Sequence, residues 1–172
     1  MALLLKDGEA VCDPWAMCGD DDTALPDGPA IVSLERWHRD RSLLSARNAP
    51  LGVRMKSHQL ADEIAGDLDR FGLVVLEFPK FRDGRPFSTA RALREHHGFT
   101  GEIRACGHVI PDQYQFLIRT GFNSVEVASS AKMDSWKLAL HEITIAYQGG
   151  ILDEAPLSML RRKLEFGSAT KR

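Results

Sequence analysis

The sequence predicts an α/β domain: one mostly parallel sheet built from about five strand–helix units and covered by helices. Three observations carry this. From residue 30 onward, short apolar runs alternate with stretches of helical period, the pattern of repeated strand–crossover–strand units. One run, Leu73-Val74-Val75-Leu76, is continuously apolar, as a strand buried on both faces of a parallel sheet must be. A chain of 172 residues, 44% apolar and 27% charged, fits one domain. That length buries roughly 70% of the unfolded surface with no need of a disulfide or metal. Helices on both faces of the sheet fit best. A curled, partial (β/α) barrel is the alternative, because strand order is not written in one sequence.

The elements follow in order. Ala30-Ile31-Val32 is a strand, and Ser33 caps a helix with Leu34, Trp37 and Leu44 on one face. Leu51-Gly52-Val53 is the second strand. Ser57 then caps a helix carrying Leu60, Ile64, Leu68 and Phe71 as its apolar stripe. After the Leu73–Leu76 strand, Ser88 caps a third helix that runs through His97, with Gly98 at the left-handed C-terminal position. Residues 102–106 form a strand, and Pro111 opens a helix that Gly121 ends. Val125-Glu126-Val127 is a strand, and residues 131–147 place Trp136, Leu140, Ile143 and Tyr147 on one face of a last helix. Gly149-Gly150 breaks it, and 151–172 form an appendage with one short helix at Leu157, Leu160 and Leu164.

This divides the chain into a leader (1–29), an α/β domain (30–148) and a C-terminal extension (149–172). Residues 12–29, rich in Asp, Pro and Gly, read as extended or disordered, with Trp15 docked on the body. The net charge of −2 conceals an asymmetry. Residues 1–29 carry seven acids against Lys6, the remainder is +4, and residues 80–94 alone are +4. That distribution points to an interaction tail and to an anionic partner for the basic cluster. No apolar run approaches the about 20 residues of a membrane span, and the start lacks the regions of a signal peptide. The expected location is therefore the cytoplasm, and Cys12, Cys18 and Cys106 are expected to be reduced thiols.

The densest chemistry lies at 78–91, after the most buried strand and at a helix start, where an α/β sheet binds ligands and free N–H groups favour anions. Lys80, Asp83, Gly84, Arg85, Ser88 and Arg91 form a candidate anion site. Arg104, Asp112 and Gln113 join it from the next strand and its loop, since a guanidinium fork suits oxyanions. The plain structural reading is equally good: Asp83 pairs with Arg85, Ser88 is a cap, and Phe78, Phe81 and Phe87 pack the helix down. His108 is a candidate proton carrier with Asp112 as its orienting partner, although a lone loop histidine is more often only a polar surface residue. The cysteine and histidine spacings match no metal knuckle. Dinucleotide, nucleoside-triphosphate and hydrolase motifs are missing, so no cofactor is expected. The cluster also lacks the aromatic platform and overall pI of a nucleic-acid binder.

The segment FPKFRDGRPFSTARALREHHGFTGEIRACGHVIPDQYQFLIRTGFNSVEV resembles the signature region of a bacterial family, domain of unknown function nine-three-four, whose members are labelled "oxidoreductase probable subunit". Its most specific parts here are Phe78-Pro79-Lys80-Phe81, Asp83-Gly84-Arg85, Ser88-x-x-Arg91-x-Leu93-Arg94, Gly101-x-x-Arg104-Ala105-x-Gly107, Asp112-Gln113 and Arg119-x-Gly121-Phe122. The likeness extends from the Trp15 leader to Ala146-Tyr147-Gln148. It implies genes beside those of sulfite reductase hemoprotein and phosphoadenylyl-sulfate reductase, hence a role in assimilatory sulfate and sulfite reduction with sulfite reductase or another sulfur-assimilation protein as partner. It carries no catalytic residue over. His108 stands where the family has an acid, Pro111 where it has a base, and 151–172 run past the usual end. Two functions follow. The first is an accessory protein that binds the reductase or a small oxyanion through residues 80–91. The alternative is an independent small enzyme acting on an anionic metabolite, which requires Arg85, Arg104 and Asp112 to converge on one cavity.

Overall fold

The computed structural model describes residues 2–128, 132–141 and 151. Their eight strands form one mostly parallel sheet in the order β2-β1-β8-β7-β6-β5-β4-β3, curled as a half-barrel. The strands are β1 (Ala2–Lys6), β2 (Glu9–Val11), β3 (Ala16–Met17), β4 (Ala30–Ser33), β5 (Leu51–Met55), β6 (Phe71–Phe78), β7 (Glu102–Gly107) and β8 (Ser124–Ala128). From β3 to β8 each strand lies parallel to its predecessor in sequence, whereas β1 runs antiparallel to both β2 and β8. Consecutive parallel strands joined by right-handed crossovers put every helix on the same side. The core agrees. Trp37 and Leu44 of α1 (Leu34–Ser45), Ala61 and Ile64 of the 3₁₀ helix Ala61–Arg70, and Leu93 of α2 (Arg85–Glu95) share one cluster. Tyr114 and Leu117 of α3 (Tyr114–Arg119) and Trp136 of α4 (Met133–His141) belong to it too. Helices therefore cover one face rather than two, and the curled alternative is the form adopted.

Strand β6 meets the expectation for its sequence. Val74, Leu76 and Phe78 point into the helix-covered core, while Leu73 and Val75 enter a smaller cluster on the opposite face with Ile31 and Cys106. Among the described residues no helix contributes to that second cluster, and Trp15 packs on it instead. Burial pushes the Cys106 thiol up to about 12.

Three local expectations are corrected. Residues 12–29 take the extended rather than the disordered form, with β3 joining the sheet, and the leader also holds two strands that were not expected, β1 and β2, joined by the tight turn Asp7-Gly8 with φ of 51° and 79°. Ser57 caps nothing. The segment after it is a 3₁₀ helix whose period of three buries Ala61 and Ile64, leaves Leu60 62% exposed and hands Phe71 to β6. Ser88 lies inside α2, because Pro86 suits the first turn and Asp83 Oδ1 accepts the Arg85 N–H at 3.2 Å. Ser33, in contrast, caps α1 by accepting the Arg36 N–H at 3.0 Å, as expected.

Gly98 and Gly121 end their helices at positive φ, 63° and 102°. Trp136 is buried on α4 as its stripe requires, whereas Ile143, Tyr147, Gly149-Gly150 and residues 152–172 lie outside the described residues, as does the Leu140 side chain. No described helix is long and apolar enough to cross a membrane.

The cysteines provide a direct test. Cys12 is exposed, while Cys18 and Cys106 are buried. At pH 8 an aromatic disulfide reagent labels Cys12 alone in the native protein and all three in denaturant. Because the native Cys106 pKa is raised, the folded state holds its proton after the unfolded thiol has lost it, so stability falls between about pH 9 and pH 12. Rapid native labelling of Cys106 at pH 8 contradicts the packing of Trp15.

Candidate functional site

Residues 79–84 leave β6 at its carboxyl end and turn into α2. Asp83 organises the turn. Its carboxylate takes the Arg85 fork side-on, Nε to Oδ1 at 2.9 Å and Nη2 to Oδ2 at 2.6 Å. Arg85 Nη2 also donates to Ser57 Oγ at 2.9 Å, which ties α2 to the end of β5. The Arg85 guanidinium, helped by Ser57, holds the Asp83 carboxyl well below the usual carboxylate range. Arg85 and Ser88, with Ser57, His58, Leu60 and His96, line a groove of about 390 Å³ between the 3₁₀ helix and α2.

The other expected site residues lie elsewhere. Arg91 pairs with Glu95 across one helical turn at 2.8 Å. Lys80 and Asp112 are exposed, and Gly84 is the N-cap of α2. Gln113 Nε2 donates to the Phe81 carbonyl at 2.9 Å, and its Oε1 accepts the Ile110 N–H, so this side chain joins two loops. The His108 ring is exposed, its backbone N–H donates to Phe78 O at 2.8 Å, and no hydrogen bond joins it to Asp112 among the described residues. Arg104 alternates with Ile103 and Ala105 along β7, so it faces away from the helices and lies across the sheet from Arg85. Arg85, Arg104 and Asp112 do not converge.

Arg104 builds a different centre. Its side chain is completely buried, with Nη1 at 2.8 Å and Nη2 at 3.1 Å from the two Asp13 oxygens. Glu102 Oε1 accepts from its Nε and Nη2, and Glu126 Oε1 lies 3.5 Å from Nη1. Burial alone would lower the Arg104 pKa, but the hydrogen bonds and charge of Asp13, then Glu102, outweigh it and raise it. Ser124 Oγ donates to Glu102 at 2.6 Å. Beside this centre the same face carries Arg54 paired with Glu77 at 3.2 Å.

The remaining members of the basic run are also occupied. Arg94 donates to the carbonyls of Phe99, Gly101 (2.8 Å) and Gly121 (3.0 Å) and to Asn123 Oδ1, whose oxygen also accepts the Ile103 N–H. Burial lowers its pKa. Of the five cations between 80 and 94, only Lys80 and Arg82 touch neither a carboxylate nor a structural carbonyl among the described residues. Arg82 lies over the Phe81 ring, 5.3 Å from its centroid.

Residues 52–158 match a family described as bacterial protein of unknown function (DUF934), which is more than half of the 172-residue chain. The chain belongs to that family. No curated protein matches it. The DUF934 match takes in β5 to α4, with Asp83, Arg85, Arg94 and Arg104, and continues past Gln148 to residue 158. It does not include the leader or Trp37, so Asp13, the partner of Arg104, comes from outside the matched span.

Sequence reasoning passed over two sets of residues. The carboxylates around Arg104 come from two strands and the leader, and only the alternation at Glu102-x-Arg104 and Val125-Glu126-Val127 placed part of that set on one face. Phe81, Ile110 and Phe116 are 48%, 39% and 53% exposed, and nothing in their apolar character signals exposure.

The two kinds of arginine predict different mutational costs. Arg94→Met takes the side-chain donor from three half-buried carbonyls and from Asn123 Oδ1, which keeps the Ile103 N–H, and is expected to cost about 2–4 kcal/mol in chemical denaturation. Arg91→Ala breaks a surface pair and should change stability by no more than about 0.5 kcal/mol. Equal losses in the two variants would refute the distinction.

Proposed function

We propose that this DUF934 protein is an accessory protein that acts by binding in assimilatory sulfate and sulfite reduction, with sulfite reductase or another sulfur-assimilation protein as its partner. One observation carries the choice of binding over catalysis. The three arginines offered for chemistry are neutralised by carboxylates, Arg85 by Asp83, Arg91 by Glu95, and Arg104 by Asp13, Glu102 and Glu126, while Lys80, His108 and Asp112 lie exposed on the surface. A general acid or base must reach a reacting atom inside a shared cavity. Here Arg85 and Arg104 lie on opposite faces of the sheet, which removes the main support for an independent enzyme. The sulfur context rests on the sequence resemblance. A small oxyanion is the second candidate ligand, because Arg85 Nη1 makes no hydrogen bond among the described residues while Nε and Nη2 do.

The test has two arms. Immobilised protein should capture purified sulfite reductase hemoprotein. Sulfite or sulfate should raise Tm, since a ligand of the native state at 100 times its Kd stabilises it by about 2.7 kcal/mol. Absence of both effects, together with normal growth of a deletion strain on sulfite, would overturn the proposal.

A further inference from the structure

Three large side chains stand exposed at the carboxyl ends of β6 and β7, and the structure holds them in one place. Gln113 binds the Phe81 carbonyl with its amide nitrogen and the Ile110 N–H with its oxygen, so the loops bearing Phe81 and Ile110 are joined through one side chain. Phe116 sits three residues after Gln113 and so projects on the same side of that short helical segment. Its ring rests on Phe87, centroid to centroid 4.7 Å, and Phe87 in turn packs on the buried Phe78 at 5.1 Å. The Phe116 ring is thus seated on the core, and the loops that bear Phe81 and Ile110 are hydrogen-bonded to one another, so less freedom is left to lose on binding. Eight large apolar residues are exposed among the described ones, and this patch holds both of the phenylalanines.

The charge at the patch is also specific. Lys80 and Arg82 adjoin Phe81, and they are the two cations of the basic run that touch neither a carboxylate nor a structural carbonyl among the described residues. The joined loops hold two acids: Asp83 is neutralised by Arg85, and Asp112 alone opposes Lys80 and Arg82, so the patch keeps a net positive charge. Aromatic anchors beside a cation, preorganised and partly exposed, are what a protein interface uses at its centre and rim.

We propose that Phe81, Ile110 and Phe116, flanked by Lys80 and Arg82, form a docking surface for a folded protein partner with an acidic rim around an apolar centre. This rests on the accessory reading and names the surface it uses. The phenylalanines supply the affinity, and the cations supply orientation and association rate.

The experiment measures binding of sulfite reductase hemoprotein to the full-length chain on a biosensor. The F81S/F116S double variant is expected to lose at least about 30-fold in affinity. Leu43→Ser, on α1 and 75% exposed, should stay within about threefold, as expected away from the interface. Arg82→Glu should slow association and flatten its salt dependence. All substitutions are at exposed positions, and an unchanged Tm confirms that each variant is folded. If the wild-type chain binds and F81S/F116S binds equally well, the docking surface is wrong and the accessory reading stands. If the wild-type chain captures no reductase, both fail. If sedimentation shows that the wild-type chain self-associates and F81S/F116S does not, the occupant is a second copy, and the acidic partner is refuted.

Discussion

A guanidinium with no exposed surface lies on the sheet face opposite the described helices. Removing Arg104 from water costs several kcal/mol, and the cost is met only where carboxylates surround the cation. Glu102 and Glu126, on its own strand and the next, supply two. The third, Asp13, comes from the leader, and its two oxygens accept from two different guanidinium nitrogens. Because Asp13 must reach Arg104, residues 13–15 have to cross the open face of the sheet, and Trp15 lands on the small apolar cluster of Ile31, Leu73, Val75 and Cys106. With the described helices on the other side, that cluster would otherwise be exposed. The leader supplies the missing cover.

Other arginines hold the leader along its length. Arg36 on α1 donates to the Gly19 and Asp22 carbonyls, Arg39 to the Asp20 carbonyl, and Arg47 to those of Pro26 and Gly28. An acidic leader and a basic body are therefore two sides of one intramolecular contact, and the acidic segment is not a free tail. The same holds for the 80–94 run, where Asp83 and Glu95 neutralise two arginines and backbone carbonyls take a third. Among the described residues, Lys80 and Arg82 are the two of the five cations that are bound by neither a carboxylate nor a carbonyl. Subtracting the charges already in use turns a cluster of five cations into a surface defined by two.

How much of this was legible follows from which information is local. Strands β4 to β8 were readable because β4 to β6 are short, mainly apolar runs, β6 apolar on both faces, and β7 and β8 alternate apolar with polar residues. Gly98, Pro111 and Gly121 marked helix ends through backbone constraints that act within a few residues. The leader strands were missed. Yet Asp7-Gly8 between Leu3-Leu4-Leu5 and Glu9-Ala10-Val11 carries a hairpin signal, while the two-residue β3 has no local signature at all. Ser57 and Ser88 looked like caps because cap chemistry is common to all serines; Pro86 and the 3₁₀ period decided otherwise. For the site, the Asp83–Arg85 pair was readable from its spacing. The Arg104 centre was not, because it joins residues 91 positions apart, and neither was the exposure of Phe81, which sequence alone groups with the buried Phe78 and the half-buried Phe87.

The direct measure of this account is a double-mutant cycle between Asp13→Asn and Arg104→Met in chemical denaturation. Coupling of about 1–3 kcal/mol is expected, with Arg104→Met the more damaging single change because it leaves three carboxylates without their cation. Additivity within about 0.5 kcal/mol would mean that the pair does not hold the leader across the sheet, and would contradict the account.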